Sequence, residues 1–158
     1  MLKIRIDTER QMLELLDESR LVRCYPVSTA KNGVGEMSGS FCTPRGRHVV
    51  RAKIGAGLPE NTVFVRRRPS GEIYTAELGR QFPERDWILS RILWLSGCEP
   101  GFNRLGDVDT MRRYIYIHGT PHEGAIGNPV SHGCVRMRIL DMVELFEQVP
   151  VGTPVEIV

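Results

Sequence analysis

Alternating hydrophobic and polar positions dominate the chain and predict β-strands over most of its length. Residues 2–6 alternate from the start, and the same pattern is present in residues 11–16 and 21–27. A few polar residues, 17–19, separate the second and third segments, as in a β-hairpin. Further strands are predicted at 48–54, 62–65, 72–75, 87–95, 113–118 and 155–158.

Only one segment has the period of an amphipathic α-helix. From Ile139 onwards, apolar residues recur at intervals of three and four, and Pro150 and Gly152 end the pattern. Its apolar stripe consists of Ile139, Leu140, Met142, Val143, Leu145 and Phe146, and Asp141, Glu144, Glu147 and Gln148 face the other way. This segment therefore predicts a C-terminal amphipathic helix.

The segments between the strands are loops, and the chain contains no internal repeat and no linker. Residues 31–47 are rich in Gly and small polar residues, which is typical of a loop. Trp87 and Trp94 lie in apolar strand segments and are expected in the core. The pattern predicts one mainly β domain, residues 1–158, with a sandwich or barrel architecture and one C-terminal helix.

Composition excludes several classes of protein. The 158 residues are 41% hydrophobic and 25% charged, as in soluble globular domains. No apolar run is long enough to cross a membrane, and a net charge of +2 is too small to indicate nucleic-acid binding. We therefore expect no nucleic-acid partner, no membrane association and no required protein partner.

The cysteines and the first residues bear on the compartment. Cys24, Cys42, Cys98 and Cys134 form no CxxC motif, and we expect them to remain thiols. The first three are interpreted as small buried hydrophobic residues. The opening residues contain no charged segment followed by an apolar stretch. A cytoplasmic location is therefore expected, or a periplasmic one if a leader has been removed.

Residues 114–137 contain the candidate chemistry. His118 is predicted to end a strand at Gly119, and a Gly-rich loop then leads to Ser131-His132-Gly133-Cys134-Val135-Arg136. A thiol needs a base to become the nucleophilic thiolate. We favour His118 as that base, since a strand could aim it at Cys134, and assign His132 to shaping the pocket.

The remaining groups of this segment fit acyl transfer. The backbone N–H groups of Gly133 and Cys134 are candidates for an oxyanion hole, because a glycine turn leaves such groups unpaired. Arg136 could hold a substrate carboxylate. We expect residues 96–110 to provide the loop that closes over the substrate, and Arg66-Arg67-Arg68 to be a solvated hairpin tip.

Two other enzyme classes fit less well. His118, His122, His132 and Cys134 are all acceptable zinc ligands. Gly119 and Pro121, however, prevent the helix that would place His118 and His122 on one face, and no HExxH motif is present. A serine hydrolase lacks its GxSxG motif here. No metal and no cofactor is expected.

These motifs resemble the signature of the L,D-transpeptidase (YkuD-type) catalytic domain. The resemblance rests on His118-Gly119-Thr120, Ile126-Gly127 and the segment from Ser131 to Met137, with two upstream landmarks, residues 25–29 and 43–46. It covers essentially the whole chain and implies a mainly β catalytic fold, a cysteine nucleophile and no metal. It further implies attack on the bond between the L-centre of diaminopimelate and D-alanine in a peptidoglycan stem peptide.

The resemblance also implies a role for each motif residue. Cys134 is the nucleophile, His118 the base, and the Gly119 carbonyl orients His118. The Gly133 and Cys134 amides hold the oxyanion, and Ser131, His132 and Arg136 bind substrate.

Three outcomes remain open from the sequence. After a thioester forms on Cys134, water gives an L,D-carboxypeptidase and an amine gives a cross-linking transpeptidase. The expected compartment favours hydrolysis of recycled muropeptides. A catalytically silent domain that binds wall peptides is a third reading, and the joint presence of His118, Cys134 and Arg136 argues against it.

Overall fold

The strands form one continuous, curled β-sheet. The structure is a computed structural model that describes all 158 residues. The ten strands are β1 (Leu2–Asp7), β2 (Met12–Asp17), β3 (Arg20–Pro26), β4 (Gly46–Ile54), β5 (Thr62–Val65), β6 (Arg68–Ile73), β7 (Ile88–Gly97), β8 (Tyr116–Thr120), β9 (Val135–Arg138) and β10 (Pro154–Ile157). The sheet order is β3-β2-β1-β10-β4-β7-β5-β6, and β8 pairs with β7 and with β9. β10 therefore joins the first three strands to the rest of the sheet.

Two α-helices accompany the sheet, α1 (Ala76–Gln81) and α2 (Ile139–Gln148). Met142, Leu145 and Phe146 of α2 are buried in the main hydrophobic core, together with the inward-facing residues of the sheet. The predicted mainly β fold with one main C-terminal helix is confirmed. No helix in the structure has the length and apolarity needed to span a lipid bilayer.

The start of α2 is stabilised from elsewhere in the chain. Its N-cap residue, Arg138, provides no side-chain hydrogen bond. Instead, the Ile139 N–H donates to Glu123 Oε2 at 2.8 Å. A carboxylate at a helix N-terminus pairs with a free N–H and with the positive end of the helix dipole. Glu123 therefore fixes the end of β9, which follows the loop carrying Cys134.

Some predicted boundaries were wrong. The strand predicted at 72–75 is β6, which lies earlier, and α1 follows it with Thr75 as its N-cap. The strand predicted at 113–118 begins only at Tyr116, because Tyr114 has a φ of +57°, which is not a strand conformation. Trp94 is half-buried rather than in the core, whereas Trp87 is buried. The interpretation of Cys24, Cys42 and Cys98 as buried was also wrong, because Cys24 is exposed and the other two are half-buried.

His118 therefore lies inside a strand, not at its end. β8 continues to Thr120, and His118 is opposite Ile92 of β7 and Arg136 of β9. β8 and β9 are parallel, so the segment between them is a crossover connection. This arrangement places the crossover loop with Cys134 beside the strand that carries the imidazole.

Candidate active site

One cavity of about 430 Å³ collects most of the residues predicted to act. His118 and Cys134 both line it, as do Ser131, His132 and Arg136. Its remaining walls include Ser38, Gly39, Phe41, Asp86, Arg112, Arg113, Tyr114 and Tyr116. None of residues 96–110 lines the cavity, so the structure does not support the expectation that this segment closes over it. Ser38, Gly39 and Phe41, from the loop predicted at 31–47, line the cavity instead.

The His118 imidazole is buried and held by the next residue. Its Nδ1 lies 2.8 Å from the Gly119 carbonyl oxygen, and because a carbonyl only accepts, Nδ1 carries the proton. Nε2 has no hydrogen-bond partner. Among the polar side-chain atoms that are excluded from solvent, only Ser90 Oγ lacks a partner. Nε2 is therefore not excluded from solvent and faces the cavity that His118 lines. Burial lowers the pKa of His118, and the Gly119 carbonyl opposes this shift. The imidazole is therefore neutral near pH 7 and can accept a proton on Nε2.

The Cys134 thiol is held by the backbone on either side of Ile115. Its Sγ accepts from the Tyr116 N–H at 3.3 Å and donates to the Tyr114 carbonyl oxygen at 3.4 Å. Burial raises the pKa of Cys134 to about 12, although the Tyr116 N–H and the cations of Arg136 and Arg113 act in the opposite direction. The site therefore contains a neutral thiol and a neutral imidazole, not an ion pair.

The loop that carries Cys134 depends on Gly133 and Thr43. Gly133 has a φ of +130°, and a Cβ at this position would lie 3.2 Å from the Cys42 carbonyl oxygen and from Ile115 Cδ1. Thr43, which is fully buried, donates from Oγ1 to the Gly133 carbonyl oxygen at 2.9 Å and accepts from the Ala30 N–H at 2.9 Å. The threonine of the Thr43-Pro44-Arg45-Gly46 turn thus fixes the conformation of the nucleophile loop.

The two amides predicted as oxyanion donors differ. The Gly133 N–H donates to Ser131 Oγ at 3.2 Å, and Ser131 Oγ donates to the Cys134 carbonyl oxygen at 2.6 Å. The Cys134 N–H has no hydrogen-bond partner. The expectation that both amides are unpaired is therefore wrong for Gly133, and Cys134 provides the free donor. The Ser131 hydroxyl is used within the loop, although the residue lines the cavity.

His132 and Arg136 meet a carboxylate that the sequence analysis did not identify. His132 has a side chain 65% exposed, and its Nδ1 lies 3.7 Å from Asp86 Oδ2. Arg136 is only 11% exposed, and its Nη2 lies 2.9 Å from Asp86 Oδ1. Asp86 lies between α1 and β7, and no local motif marks it. It is the only carboxylate among the residues that line the cavity.

Arg67 was expected at a solvated hairpin tip, and it does lie in the turn between β5 and β6. Its side chain, however, returns to the sheet: Nη1 donates to the Tyr116 hydroxyl at 2.9 Å, and the guanidinium lies 4.4 Å from the centre of the Tyr114 ring. Arg67 therefore braces the two tyrosines that flank the thiol.

The ligands of the zinc alternative are not all brought together. His122 lies at the start of a 3₁₀ turn after β8 and does not line the cavity that holds His118, His132 and Cys134.

Comparison with known proteins gives consistent matches. The family model described as "L,D-transpeptidase catalytic domain" matches residues 2–157. A Bacillus licheniformis protein named "Putative L,D-transpeptidase YkuD" is 28% identical over 155 residues, covering 98% of this chain and 64% of the relative. "Probable L,D-transpeptidase YbiS" of Escherichia coli is 54% identical over 46 residues, 29% of this chain and 15% of the relative.

The fold is shared with solved structures. The crystal structure of L,D-transpeptidase 3 from Mycobacterium tuberculosis with a faropenem-derived adduct matches with a TM-score of 0.60 at 15% identity, covering 99% of this chain and 59% of that one. In all three comparisons the match spans less than two thirds of the other protein.

Proposed function

The chain belongs to the L,D-transpeptidase catalytic domain family, and we propose that it is a cysteine acyl-transfer enzyme acting on peptidoglycan stem tetrapeptides. The bond attacked joins the L-centre of diaminopimelate to D-alanine. One observation carries the proposal: the Cys134 thiol and the His118 imidazole line the same cavity, and the Gly119 carbonyl leaves Nε2 of His118 free to accept a proton.

The reaction begins with a neutral pair. Because burial raises the pKa of Cys134 to about 12, the thiol loses its proton only as it attacks, and Nε2 of His118 accepts it. The sulfur bonds to the substrate carbonyl carbon, and the Cys134 N–H donates to the developing oxyanion. His118 then gives the proton to the D-alanine nitrogen as the C–N bond breaks, which leaves a thioester on Cys134.

We propose that water then takes the acyl group, which makes the protein an L,D-carboxypeptidase that trims soluble muropeptides. The solvent-facing side of the cavity supports this, since His132 and Asp86 are 65% and 46% exposed and leave the region near the thioester open to water. His118, neutral again after the first half-reaction, activates that water through Nε2.

Cross-linking is the second candidate. Arg112 lines both the catalytic cavity and an adjoining cavity of about 410 Å³, which could receive the amine of a second stem peptide. The relatives described above are also named as transpeptidases. An amine held there would compete with water for the thioester.

Incubation with a disaccharide-tetrapeptide, followed by mass spectrometry, tests the proposal. Loss of one alanine indicates hydrolysis, and a joined dimer indicates transfer. Intact protein measured in the same samples should carry an acyl adduct on Cys134. Unchanged tetrapeptide and unmodified protein would contradict the proposed function.

A further inference from the structure

We propose that Asp86 and Arg136 together bind the free amino-acid end of the substrate's diamino acid, Asp86 taking its ammonium group and Arg136 its carboxylate. This inference rests on the proposed function, because it concerns the acyl donor of that reaction. It assigns Asp86, which lies outside the catalytic motif, a role in substrate specificity.

The two side chains form one charged pair on the cavity wall. Asp86 Oδ1 lies 2.9 Å from Arg136 Nη2, and both residues line the cavity that contains Cys134. The backbone of Arg136 is anchored on both sides, since its N–H donates to the Ser28 carbonyl and its carbonyl accepts from the Ser28 N–H. The guanidinium is therefore presented by a fixed strand, while the carboxylate of Asp86 is half-exposed.

A pair of opposite charges suits a ligand with the same pair. Diaminopimelate has two amino-acid centres: one supplies the carbonyl that is attacked, and the other ends in a free ammonium and a free carboxylate on the same carbon. A site of one sign would attract one of these groups and repel the other. The Asp86–Arg136 pair can bind both, with the planar guanidinium matching the carboxylate.

The position of the pair fits this role. In the parallel pairing of β8 and β9, Arg136 lies opposite His118, and it follows Cys134 by two residues. The free end of the diamino acid would therefore be held close to the centre where the bond is broken, as a residue that selects the acyl donor must do.

Binding of the ammonium group would also favour the reaction. The Asp86 carboxylate contributes to the raised pKa of Cys134 by repelling the thiolate. An ammonium group bound to Asp86 neutralises that charge, and the thiolate then forms more readily. A substrate with a free amino group at this end would thus increase the reactivity of the thiol that attacks it.

Calorimetry on the Cys134→Ala protein tests the proposal without turnover. The probes are four tetrapeptides that differ only at the third residue: diaminopimelate, diaminopimelate amidated at its free carboxylate, lysine, and 2-aminopimelate, which keeps the carboxylate and lacks the amino group. We expect the diaminopimelate peptide to bind at least about tenfold more tightly than each of the others.

In the Cys134→Ala protein, Asp86→Asn should weaken the binding of the three peptides that have a free ammonium group by about tenfold. These are the peptides with diaminopimelate, amidated diaminopimelate and lysine. The 2-aminopimelate peptide should bind as well as before or better, because Arg136 no longer has a competing carboxylate. Glu84 is an exposed carboxylate two residues away whose side chain forms no hydrogen bond or ion pair. Glu84→Gln is therefore the matched control and should change none of these affinities.

A separate readout excludes a merely structural role for Asp86. Asp86→Asn with Cys134 intact should shift the pH profile of alkylation by iodoacetamide to lower pH, since removal of the carboxylate lowers the pKa of the thiol. The rate at high pH, where the thiol is ionised, should stay unchanged. A merely distorted site would change that rate as well, because the access of the reagent to the thiol would change.

The outcomes separate the inference from the proposed function. Equal affinity for all four peptides, or equal weakening of all four by Asp86→Asn, overturns the assignment of Asp86 and Arg136, even if the wild-type protein removes D-alanine. Selective binding by the Cys134→Ala protein without any turnover by the wild type keeps the assignment and overturns the proposed reaction.

Discussion

Two histidines in this protein have nearly the same immediate surroundings, but only one of them lines the candidate active site. His48 and His118 are each 1% exposed. Each donates a hydrogen bond from Nδ1 to a backbone carbonyl oxygen. The acceptor is Gly46 at 3.0 Å for His48, and Gly119 at 2.8 Å for His118. Burial lowers the pKa of both, to about 4 for His48. Both imidazoles are therefore neutral near pH 7, with the proton on Nδ1.

The difference lies at the second nitrogen. Nε2 of His48 is 3.0 Å from Thr110 Oγ1, a hydroxyl that is itself fully buried. Nε2 of His118 has no hydrogen-bond partner and borders a cavity that also exposes a thiol. A base with a free lone pair and room for a substrate can do chemistry, whereas the same base closed by a hydroxyl contributes to stability. Access, more than ring geometry or pKa, separates the two sites.

The largest expected effects come from replacing Cys134, which lines the same cavity as His118, and Thr110, whose hydroxyl lies next to Nε2 of His48. Cys134→Ala should abolish acylation of the protein by the disaccharide-tetrapeptide, whereas Thr110→Val should leave it intact, because the proposed acyl adduct forms on the thiol. Mass spectrometry of the intact protein measures both. Thr110→Val should instead lower the free energy of unfolding by about 1–3 kcal/mol, since Nε2 of His48 loses its partner in the interior. Adduct formation by the Cys134→Ala protein would show that the nucleophile lies elsewhere.

Replacing the histidines themselves should dissociate activity from stability. His118→Ala should lower kcat/KM for a tetrapeptide by about 10²–10⁴-fold, the usual contribution of a general base. His48→Ala should leave kcat/KM of the folded protein close to that of the wild type and lower the urea midpoint of unfolding. The comparison would fail if His48→Ala were the less active variant at a temperature where both are folded.

The pH dependence of stability should identify the closed histidine. The unfolded chain binds a proton on His48 near pH 6.5, whereas the folded protein does so only near a pKa of about 4. Between these values the unfolded state holds more protons, so stability falls as the pH is lowered from 6.5 towards 4, by up to roughly 3 kcal/mol. Urea unfolding at both ends of this window should show the loss, and His48→Gln should reduce it. An unchanged slope in His48→Gln would assign the loss to other groups.

The smallest effect is expected for His132, which also lines the candidate active site. The ring of His132 is largely exposed and contacts Phe41 and Asp86 rather than the thiol. His132→Ala should therefore lower kcat/KM by about tenfold or less, with the change mainly in KM. A loss in kcat as large as that of His118→Ala would reverse the roles of the two residues.

Much of the fold follows from local patterns in the sequence. The alternation in residues 2–6 and the helical period after Ile139 correspond to β1 and α2, whose core faces are buried. Leu140 is an exception: it was predicted in the apolar stripe of the helix and is 67% exposed. Boundaries set by backbone geometry could not be predicted in this way. The positive φ of Tyr114 delays the start of β8, and nothing in the tyrosine side chain signals it.

The candidate site shows the same limit. His118, Cys134 and Arg136 lie in one short segment and were found as a motif. Asp86 is 50 residues from Arg136 in sequence and meets it only because the segment before β7 passes beside β9. The pairing of the Gly133 N–H with Ser131 likewise depends on a loop conformation that the residue types alone do not define.

The place of β10 in the sheet has a consequence for how the protein folds. Residues 154–157 lie between β1 and β4, with Val155 opposite both Ile4 and His48. Until these residues are synthesised, β1 and β4 each keep one unpaired edge, because their shared partner lies far away in sequence. Such long-range pairing folds slowly and leaves strand edges open to aggregation. Deleting residues 154–157 should therefore lower the soluble yield, because the edges of β1 and β4 then remain unpaired.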